Sequence, residues 1–201
     1  MCGLAGIKAS KDIVSKEQLE LMADAITQRG PDSAGYWLSK DRYVGLAHRR
    51  LAIVDLSDAG HQPMASVSGR YTLAYNGEIY NFLELKSELK LLGYVFKTQS
   101  DTEVILKAYQ AWGIEKSCKK FQGMFAFAIV DEIKNTIFLA RDYLGKKPLY
   151  IANTKNELYF SSDIRSFQHV LKSTLNINSL AYYFAELSTP GENTIYNETQ
   201  R

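Results

Sequence analysis

The chain has 201 residues, 46% of them hydrophobic and 23% charged, which is enough for one packed core and small for two domains. The formal net charge is only +2 and no block of Lys or Arg occurs, so we expect no nucleic-acid partner and no membrane partner. No stretch approaches the roughly 20 apolar residues that span a bilayer, and the N-terminal residues lack the basic start of a secretion signal. Two cysteines cannot build the disulfide framework of a secreted domain. We therefore expect a cytoplasmic protein.

The N-terminal third of the chain predicts one helix between short strands. Residues 2–7 alternate small and apolar side chains, which is typical of a buried strand at the N-terminus. A helix follows, with apolar residues at helical spacing and an end at Gly30-Pro31. Its apolar positions are Leu19, Met22, Ala23 and Ile26. Residues 29–35 are rich in turn formers and predict a loop, followed by strands over 36–38 and 43–47.

The rest of the chain predicts two helices with strands on both sides. A strand over residues 71–75 ends at Asn76-Gly77, and helices follow over 82–92 and 102–112. From residue 124 the pattern changes to that of strands, and turn residues separate them. These strands are predicted over 124–130, 136–141, 149–152 and 157–161. Helices grouped in the middle of the chain favour an α+β layered sandwich over a doubly wound parallel sheet.

Cys2 is a candidate nucleophile because of its position. Met1 is normally removed when the second residue is small, and Cys2 would then carry both a thiol and a free α-amine. An α-amine has a pKa of about 7.7–8.0, so at neutral pH part of it is unprotonated and can accept the thiol proton. The alternative is a small residue that merely begins a buried strand. Position alone leaves both interpretations open.

Asn76-Gly77-Glu78 follows a predicted strand and carries donors of the kind that form an oxyanion hole. Asn supplies side-chain N–H groups, and Gly lets a substrate approach a backbone N–H; each such donor contributes about 2.7–4 kcal/mol to transition-state stabilisation. The alternative is an ordinary Asn-Gly hairpin turn. A helical pattern, not a second strand, begins near Asn81 and weakens the hairpin interpretation.

Arg50 and Asp101 are candidates for binding an amino acid. Arg50 lies in an apolar, strand-like run, where a guanidinium needs a partner, and it could hold an α-carboxylate through two hydrogen bonds. Asp101 precedes a helical pattern and could accept from an α-ammonium group. A salt bridge from Arg50 to Asp55 and a simple helix cap at Asp101 are the alternatives.

Together these motifs resemble the class II glutamine amidotransferase domain, most closely the N-terminal domain of glutamine-hydrolysing asparagine synthetases. The resemblance covers about residues 2–165, with its motifs in family order. The matching stretches are Met1-Cys-Gly-Leu-Ala-Gly6, Arg29-Gly-Pro-Asp32, residues 48–55, Gln62-Pro63, Tyr75-Asn-Gly-Glu-Ile-Tyr-Asn81, residues 100–105, residues 121–127, Arg141-Asp142 and Lys147-Pro-Leu-Tyr150.

The resemblance implies the four-layer αββα sandwich of N-terminal nucleophile hydrolases and a site for L-glutamine. Cys2 is then the nucleophile, and Asn76 and Gly77 hold the oxyanion. The implied glutamine-binding residues are Arg50, Leu51, Ala52, Ile53, Val54, Asn76, Gly77, Glu78 and Asp101. Departures from the family pattern are Gln28, Lys146 and Asp163, and none removes a catalytic atom.

The resemblance also implies a partner domain. We assign residues 2–201 to one amidotransferase domain and expect a C-terminal synthetase domain, absent from this chain, that would bind ATP and Mg and make asparagine from aspartate. No cofactor or metal is expected in the amidotransferase domain itself, and a homodimer is one option for the assembly. Two alternatives stay open: delivery of ammonia to another acceptor, such as a sugar carboxylate in surface-polysaccharide synthesis, and a degenerate domain that regulates or scaffolds.

Overall fold

The computed structural model, which describes residues 1–52 and 60–201, contains two antiparallel sheets. The strands are β1 (Gly3–Ala9), β2 (Ser33–Leu38), β3 (Val44–Arg50), β4 (Met64–Ala65), β5 (Tyr71–Ile79), β6 (Gly123–Asp131), β7 (Thr136–Arg141), β8 (Tyr150–Asn153), β9 (Glu157–Ser161) and β10 (Thr199–Gln200). One sheet has six strands in the order β10-β8-β9-β1-β3-β2, and the other has four in the order β4-β5-β6-β7.

Helices cover the outer face of each sheet. They are α1 (Lys16–Asp24), α2 (Phe82–Leu91) and α3 (Asp101–Lys120). A further helix, α4 (Ile177–Glu186), is mostly exposed, and 3-10 turns occur at Thr27–Arg29 and Ile164–Phe167. Helix α1 packs on β1 and β3 of the six-stranded sheet, whereas α2 packs on α3 and α3 packs on β5. The N-terminus of α1 is fixed by a capping box, in which Ser15 and Gln18 exchange side-chain and backbone hydrogen bonds.

Alternation along the strands produces three apolar layers. In β1, Leu4 belongs to the core between the sheets, while Ala5 and Ile7 pack towards α1. In β5, Ala74 lies between the sheets and Leu73 packs towards α2 and α3. Because successive strand residues face opposite sides, each sheet buries both of its faces. The molecule is therefore the predicted αββα sandwich.

Most predicted elements are confirmed, with differences at their ends. The sequence predicted that strand β5 ends at residue 75. The strand instead continues to Ile79, and Gly77 pairs with Phe125 of β6. Asn76-Gly77 is therefore not a hairpin turn. Strand β2 begins at Ser33, inside the predicted loop over residues 29–35. Helix α3 does not end before Gly113 but kinks there, since this glycine adopts a φ of 76°.

Candidate active site

A cavity of about 250 Å³ opens where the ends of β3 and β5 meet the N-terminus of the chain. It brings together residues that are far apart in the sequence. Its lining comprises Met1, Cys2, Arg50, Leu51, Gly60, Gln62, Tyr75, Asn76, Gly77, Glu78, Ser100, Asp101, Thr102, Met124 and Lys147. Seven of the predicted site residues, including Cys2 and Asp101, thus share one cavity.

The Cys2 thiol is held against the backbone after β3. Its Sγ lies 3.4 Å from the donating N–H of Leu51 and 3.5 Å from the Leu51 carbonyl oxygen. The carbonyl oxygen of Cys2 accepts a hydrogen bond of 3.2 Å from Nε of Arg29. Both the side chain and the backbone of Cys2 therefore have fixed positions beside the cavity.

The backbone N–H of Gly77 points away from β6 into the open edge of the four-stranded sheet. In an antiparallel ladder the N–H and C=O of one residue point to the same side. Phe125, which lies opposite Gly77, uses both groups on Asp142: its N–H donates to the carboxylate (3.2 Å) and its carbonyl accepts from the N–H (2.8 Å). Gly77 and Phe125 thus form a non-hydrogen-bonded pair, so the Gly77 N–H faces the other side of β5.

Side chains satisfy the neighbouring donors on this same edge. The N–H of Tyr75 donates to Oε1 of Gln62 (2.7 Å), and the N–H of Ile79 donates to Oδ2 of Asp101 (3.0 Å). Strand β4 pairs only with residues 72 and 73 of β5 and does not reach Gly77. A Cβ on Gly77 would lie 2.4 Å from the carbonyl oxygen of Met124, which explains why glycine occupies the position. The edge therefore presents the Gly77 N–H to the cavity.

The side chain of Asn76 lies on the inner face of β5 and is 1% exposed. Its Nδ2 is 3.5 Å from Oγ of Ser162, at the limit of a hydrogen bond. Ser162 is fixed more firmly, since its Oγ accepts from the N–H of Leu4 (3.1 Å) and its own N–H donates to the Leu4 carbonyl (2.9 Å). The Asn76 amide is thus placed next to β1, the strand that directly follows Cys2, with a weakly engaged donor.

Asp101 is the first residue of α3, and its carboxylate points at β5. The helix cap is Ser100, whose Oγ accepts from the N–H of Thr102 (3.2 Å), so the cap interpretation of Asp101 is wrong. Oδ2 of Asp101 accepts from the Tyr75 hydroxyl (2.7 Å) and from the Ile79 N–H. Burial raises the pKa of Asp101, although these hydrogen bonds oppose that effect. Burial also raises the pKa of Tyr75 well above its usual value, so this hydroxyl stays a donor.

The segment after β3 is anchored by Asp32. The N–H of Asp32 donates to the Arg50 carbonyl (3.0 Å), and its Oδ2 accepts from the N–H of Ala52 (2.8 Å). Arg50 and Leu51 line the cavity directly. Ile53 and Val54, predicted to bind glutamine, and Asp55, the alternative partner of Arg50, lie outside the described residues.

Several residues at the site were not predicted. Gln62 occurred in a matched motif without an assigned role, yet its side chain joins the Tyr75 N–H to Oγ1 of Thr102 (3.4 Å). His48, 1% exposed, donates from Nε2 to the Tyr75 carbonyl (2.9 Å) and so ties the two sheets together below the site. Burial lowers the pKa of His48 to about 4, so the ring is neutral at pH 7. These roles depend on contacts between distant strands, which no local pattern reveals.

Within residues 1–52 and 60–201, no group of three or more His, Cys, Asp or Glu side chains could hold a metal ion. None of the helices in these ranges is long and apolar enough to cross a bilayer.

Comparison with known proteins identifies the family of the chain. The family model described as the glutamine amidotransferase domain matches residues 1–201. The chain belongs to the glutamine amidotransferase family. One relative of this amidotransferase domain is the putative asparagine synthetase [glutamine-hydrolyzing] 2 of Methanocaldococcus jannaschii, 40% identical over 99% of the chain and 42% of that protein. Another is asparagine synthetase [glutamine-hydrolyzing] 1 of Bacillus subtilis, 36% identical over 97% of the chain and 31% of that protein.

The fold of the amidotransferase domain also occurs in a solved structure. The glutamine phosphoribosylpyrophosphate amidotransferase of B. subtilis, solved with ADP and GMP, superposes with a TM-score of 0.68 at 22% identity. That alignment covers 83% of this chain and 43% of the other. The chain thus spans less than half the length of each of these three proteins.

Proposed function

We propose that this domain hydrolyses L-glutamine to glutamate and ammonia, with Cys2 as the nucleophile. The observation that carries the proposal is the open Gly77 N–H on the β5 edge, in the same cavity as the Cys2 thiol. A backbone donor that points into a cavity beside a nucleophile suits the oxyanion of acyl transfer. Asn76 Nδ2, held only weakly by Ser162, supplies the second donor.

The proposed reaction begins once Met1 has been removed. The Cys2 α-amine accepts the thiol proton, and the thiolate attacks the side-chain carbonyl carbon of glutamine. Gly77 and Asn76 stabilise the resulting oxyanion. The tetrahedral intermediate collapses as the C–N bond breaks, and the departing nitrogen takes the proton from the α-ammonium and leaves as ammonia. Water then attacks the thioester, which releases glutamate and restores the thiol.

Arg50 and Asp101 hold the amino-acid end of glutamine in this proposal. Arg50 pairs with the α-carboxylate, and Asp101 accepts from the α-ammonium group. Tyr75 and Ile79 fix the Asp101 carboxylate through its Oδ2, so the orientation exists before substrate binds. Leu51, Ala52 and Glu78 border the bound glutamine. The chemistry requires no metal or cofactor in this domain.

Substitution of the nucleophile tests the assignment. Cys2→Ala should abolish glutamine hydrolysis. Cys118→Ala, which removes the second cysteine of the chain, located on α3, should leave the activity unchanged. Intact mass should show that Met1 is absent, and a diazo-ketone analogue of glutamine should add one label, at Cys2. Full activity of Cys2→Ala, or a label at Cys118, would exclude Cys2 as the nucleophile.

We further propose that the complete protein makes asparagine. Relatives named as asparagine synthetases are more than twice as long as this chain, which supports a fused synthetase domain that uses ATP and Mg. The same names favour aspartate over a sugar carboxylate as the ammonia acceptor. An assay of the full-length protein with glutamine, ATP and Mg should form asparagine from aspartate. Consumption of glutamine without asparagine formation would point to another acceptor.

A further inference from the structure

Lys147 is a buried cation in the candidate active site that the proposed reaction does not use. It lies in the turn between β7 and β8, its side chain lines the cavity, and the residue is only 5% exposed. Its Nζ is 3.2 Å from Sδ of Met1. Within the described part of the chain it forms no salt bridge. A buried ammonium is normally paired with an anion, so this exception needs a reason.

The turn that carries Lys147 is rigidly built. The Lys147 N–H donates to Oδ2 of Asp142 (2.9 Å), and the neighbouring Lys146 N–H donates to Oδ1 (2.8 Å). The Lys147 carbonyl accepts from Nε of Arg141 (3.0 Å), whose Nη2 also donates to the Gly145 carbonyl (2.8 Å). Both backbone groups of Lys147 are therefore fixed, and the side chain is directed towards the N-terminus.

We propose that Lys147 is a positioning residue that keeps the α-amine of Cys2 in its neutral, proton-accepting form; this rests on the proposed glutaminase function. With Met1 removed, the contact of Nζ with Sδ is lost and the ammonium faces the new N-terminus. An ammonium group can only donate hydrogen bonds. A neutral amine can accept one, whereas a protonated amine cannot and is repelled by the like charge. The Lys147 charge thus favours the form of Cys2 that can take the thiol proton.

Other charged and titratable groups surround the same point. Among the described residues these five come from four elements or turns: Arg29, Arg50, Tyr75, Glu78 and Asp101. Arg29 already donates a hydrogen bond to the Cys2 carbonyl, and Asp101 already accepts hydrogen bonds from Tyr75 and Ile79. Lys147 is the group whose contact is with Met1 itself, so its effect should change when the N-terminus is processed.

The first experiment measures kcat/KM for glutamine against pH in Lys147→Met, Lys147→Arg and Lys146→Met. Methionine matches the length of lysine without its charge, and Lys146→Met removes an exposed charge from the same turn. For Lys147→Met, the acidic limb of the kcat/KM profile should shift to higher pH by about one unit. At pH 6.5 this shift lowers kcat/KM by about tenfold. Activity should recover near pH 9. Lys147→Arg and Lys146→Met should retain the wild-type profile.

Two results would overturn the proposal. An unchanged pH profile in Lys147→Met would show that the charge has no role, and an equal loss at every pH would show a purely structural one.

A second measurement does not depend on glutamine. In a Cys2→Ala background, Lys147→Met should slow acylation of the N-terminal amine at pH 6.5 but not at pH 9. Absence of any glutaminase activity in the wild type would instead contradict the proposed function, and this labelling would still test Lys147.

Discussion

The two ends of the sandwich both contain a cavity between the sheets, and the larger one is not the candidate site. At the end opposite Cys2, a cavity of about 440 Å³ lies beside Arg70, Glu132 and the start of β3. There Arg70 forms two hydrogen bonds with Asp131, of 2.9 and 2.8 Å, and Asp131 also accepts from two backbone N–H groups. Arg70 and Asp131, the charged pair at this end, thus satisfy each other.

The end that contains the candidate site differs because several of its hydrogen-bond donors have no partner, or only a weak one, within residues 1–52 and 60–201. Gly77 presents its N–H to the cavity, Asn76 Nδ2 has only a contact of 3.5 Å, and Lys147 Nζ contacts a thioether. Because unsatisfied buried donors are costly, a fold keeps them where a ligand can use them. The comparison teaches that weakly engaged donors lining the cavity, and not cavity volume, distinguish the functional end of this sandwich.

Asn76→Ala should have the largest effect of the substitutions that probe this difference. Loss of one oxyanion donor lowers kcat by about 10²–10³-fold, since the donor acts mainly in the transition state. KM for glutamine should change little. Steady-state kinetics of glutamate release measure both constants.

The matched control for Asn76→Ala is Arg70→Ala, because Arg70 directly precedes the opposite end of β5. Arg70→Ala should lower the urea midpoint of unfolding, because Asp131 loses its partner, but should leave kcat within about twofold of wild type. If Arg70→Ala reduced kcat as strongly as Asn76→Ala, the functional distinction between the two ends would be wrong.

Acid should weaken the two ends in different pH windows. His48 at the site end has a pKa lowered to about 4 by burial, so the unfolded chain binds a proton that the folded chain does not between about pH 6.5 and 4. Stability should therefore fall by about 3 kcal/mol as the pH drops through this window. His48→Gln, which retains a donor for the Tyr75 carbonyl, should lose that part of the slope.

Asp131 at the opposite end follows the same rule in a lower pH window. Its hydrogen bonds with Arg70 lower its pKa, so its contribution is complete above the ordinary Asp range and is lost only as the pH falls through the lowered value. Urea unfolding at several pH values measures both effects. An identical slope between pH 6.5 and 4 in wild type and His48→Gln would contradict the assignment to His48.

Asp101→Asn should have a smaller effect, confined to substrate binding. Asparagine can still accept from Tyr75 but loses the charge that would pair with the glutamine α-ammonium. A hydrogen bond to a charged group is worth about 1.5–3 kcal/mol, so KM should rise about 10- to 100-fold. Glu103→Gln is the control: this buried carboxylate two residues further along α3 accepts from Lys97 and Thr98 and faces another loop. An equal rise in KM for both variants would remove the proposed role of Asp101.

The sequence predicted the layers and the main elements because these depend on local signals. Apolar residues at helical spacing indicated α1, a cap before residue 102 indicated α3, and turn residues separated the strands after residue 124. The end of β5 was predicted wrongly, since Asn76-Gly77 favours a turn locally while pairing with β6 extends the strand to Ile79. Helix α4 was not predicted, although Asn176 caps it and apolar residues recur along it.

The candidate site was predictable in part. Cys2 was a candidate because of its position after Met1, Arg50 because a guanidinium needs a partner in an apolar run, and Asp101 because it precedes a helix. The order of the motifs then joined them. Lys147 stood in a matched motif, but its importance depends on a contact with Met1, 146 positions earlier. No sequence pattern singled out His48 for this role, because its partner is a backbone carbonyl of the other sheet. Such contacts exist only after the sheets have packed.

The position of β1 has a consequence for how the domain folds. Strand β1 lies between β3, some forty residues later, and β9, which contributes Glu157 to Ser161. The strand next to Cys2 can therefore complete its ladder only after most of the chain has left the ribosome. Contacts so distant in sequence form slowly, because a long loop must close first. The nucleophile should thus be among the last parts of the domain to reach its final position during synthesis.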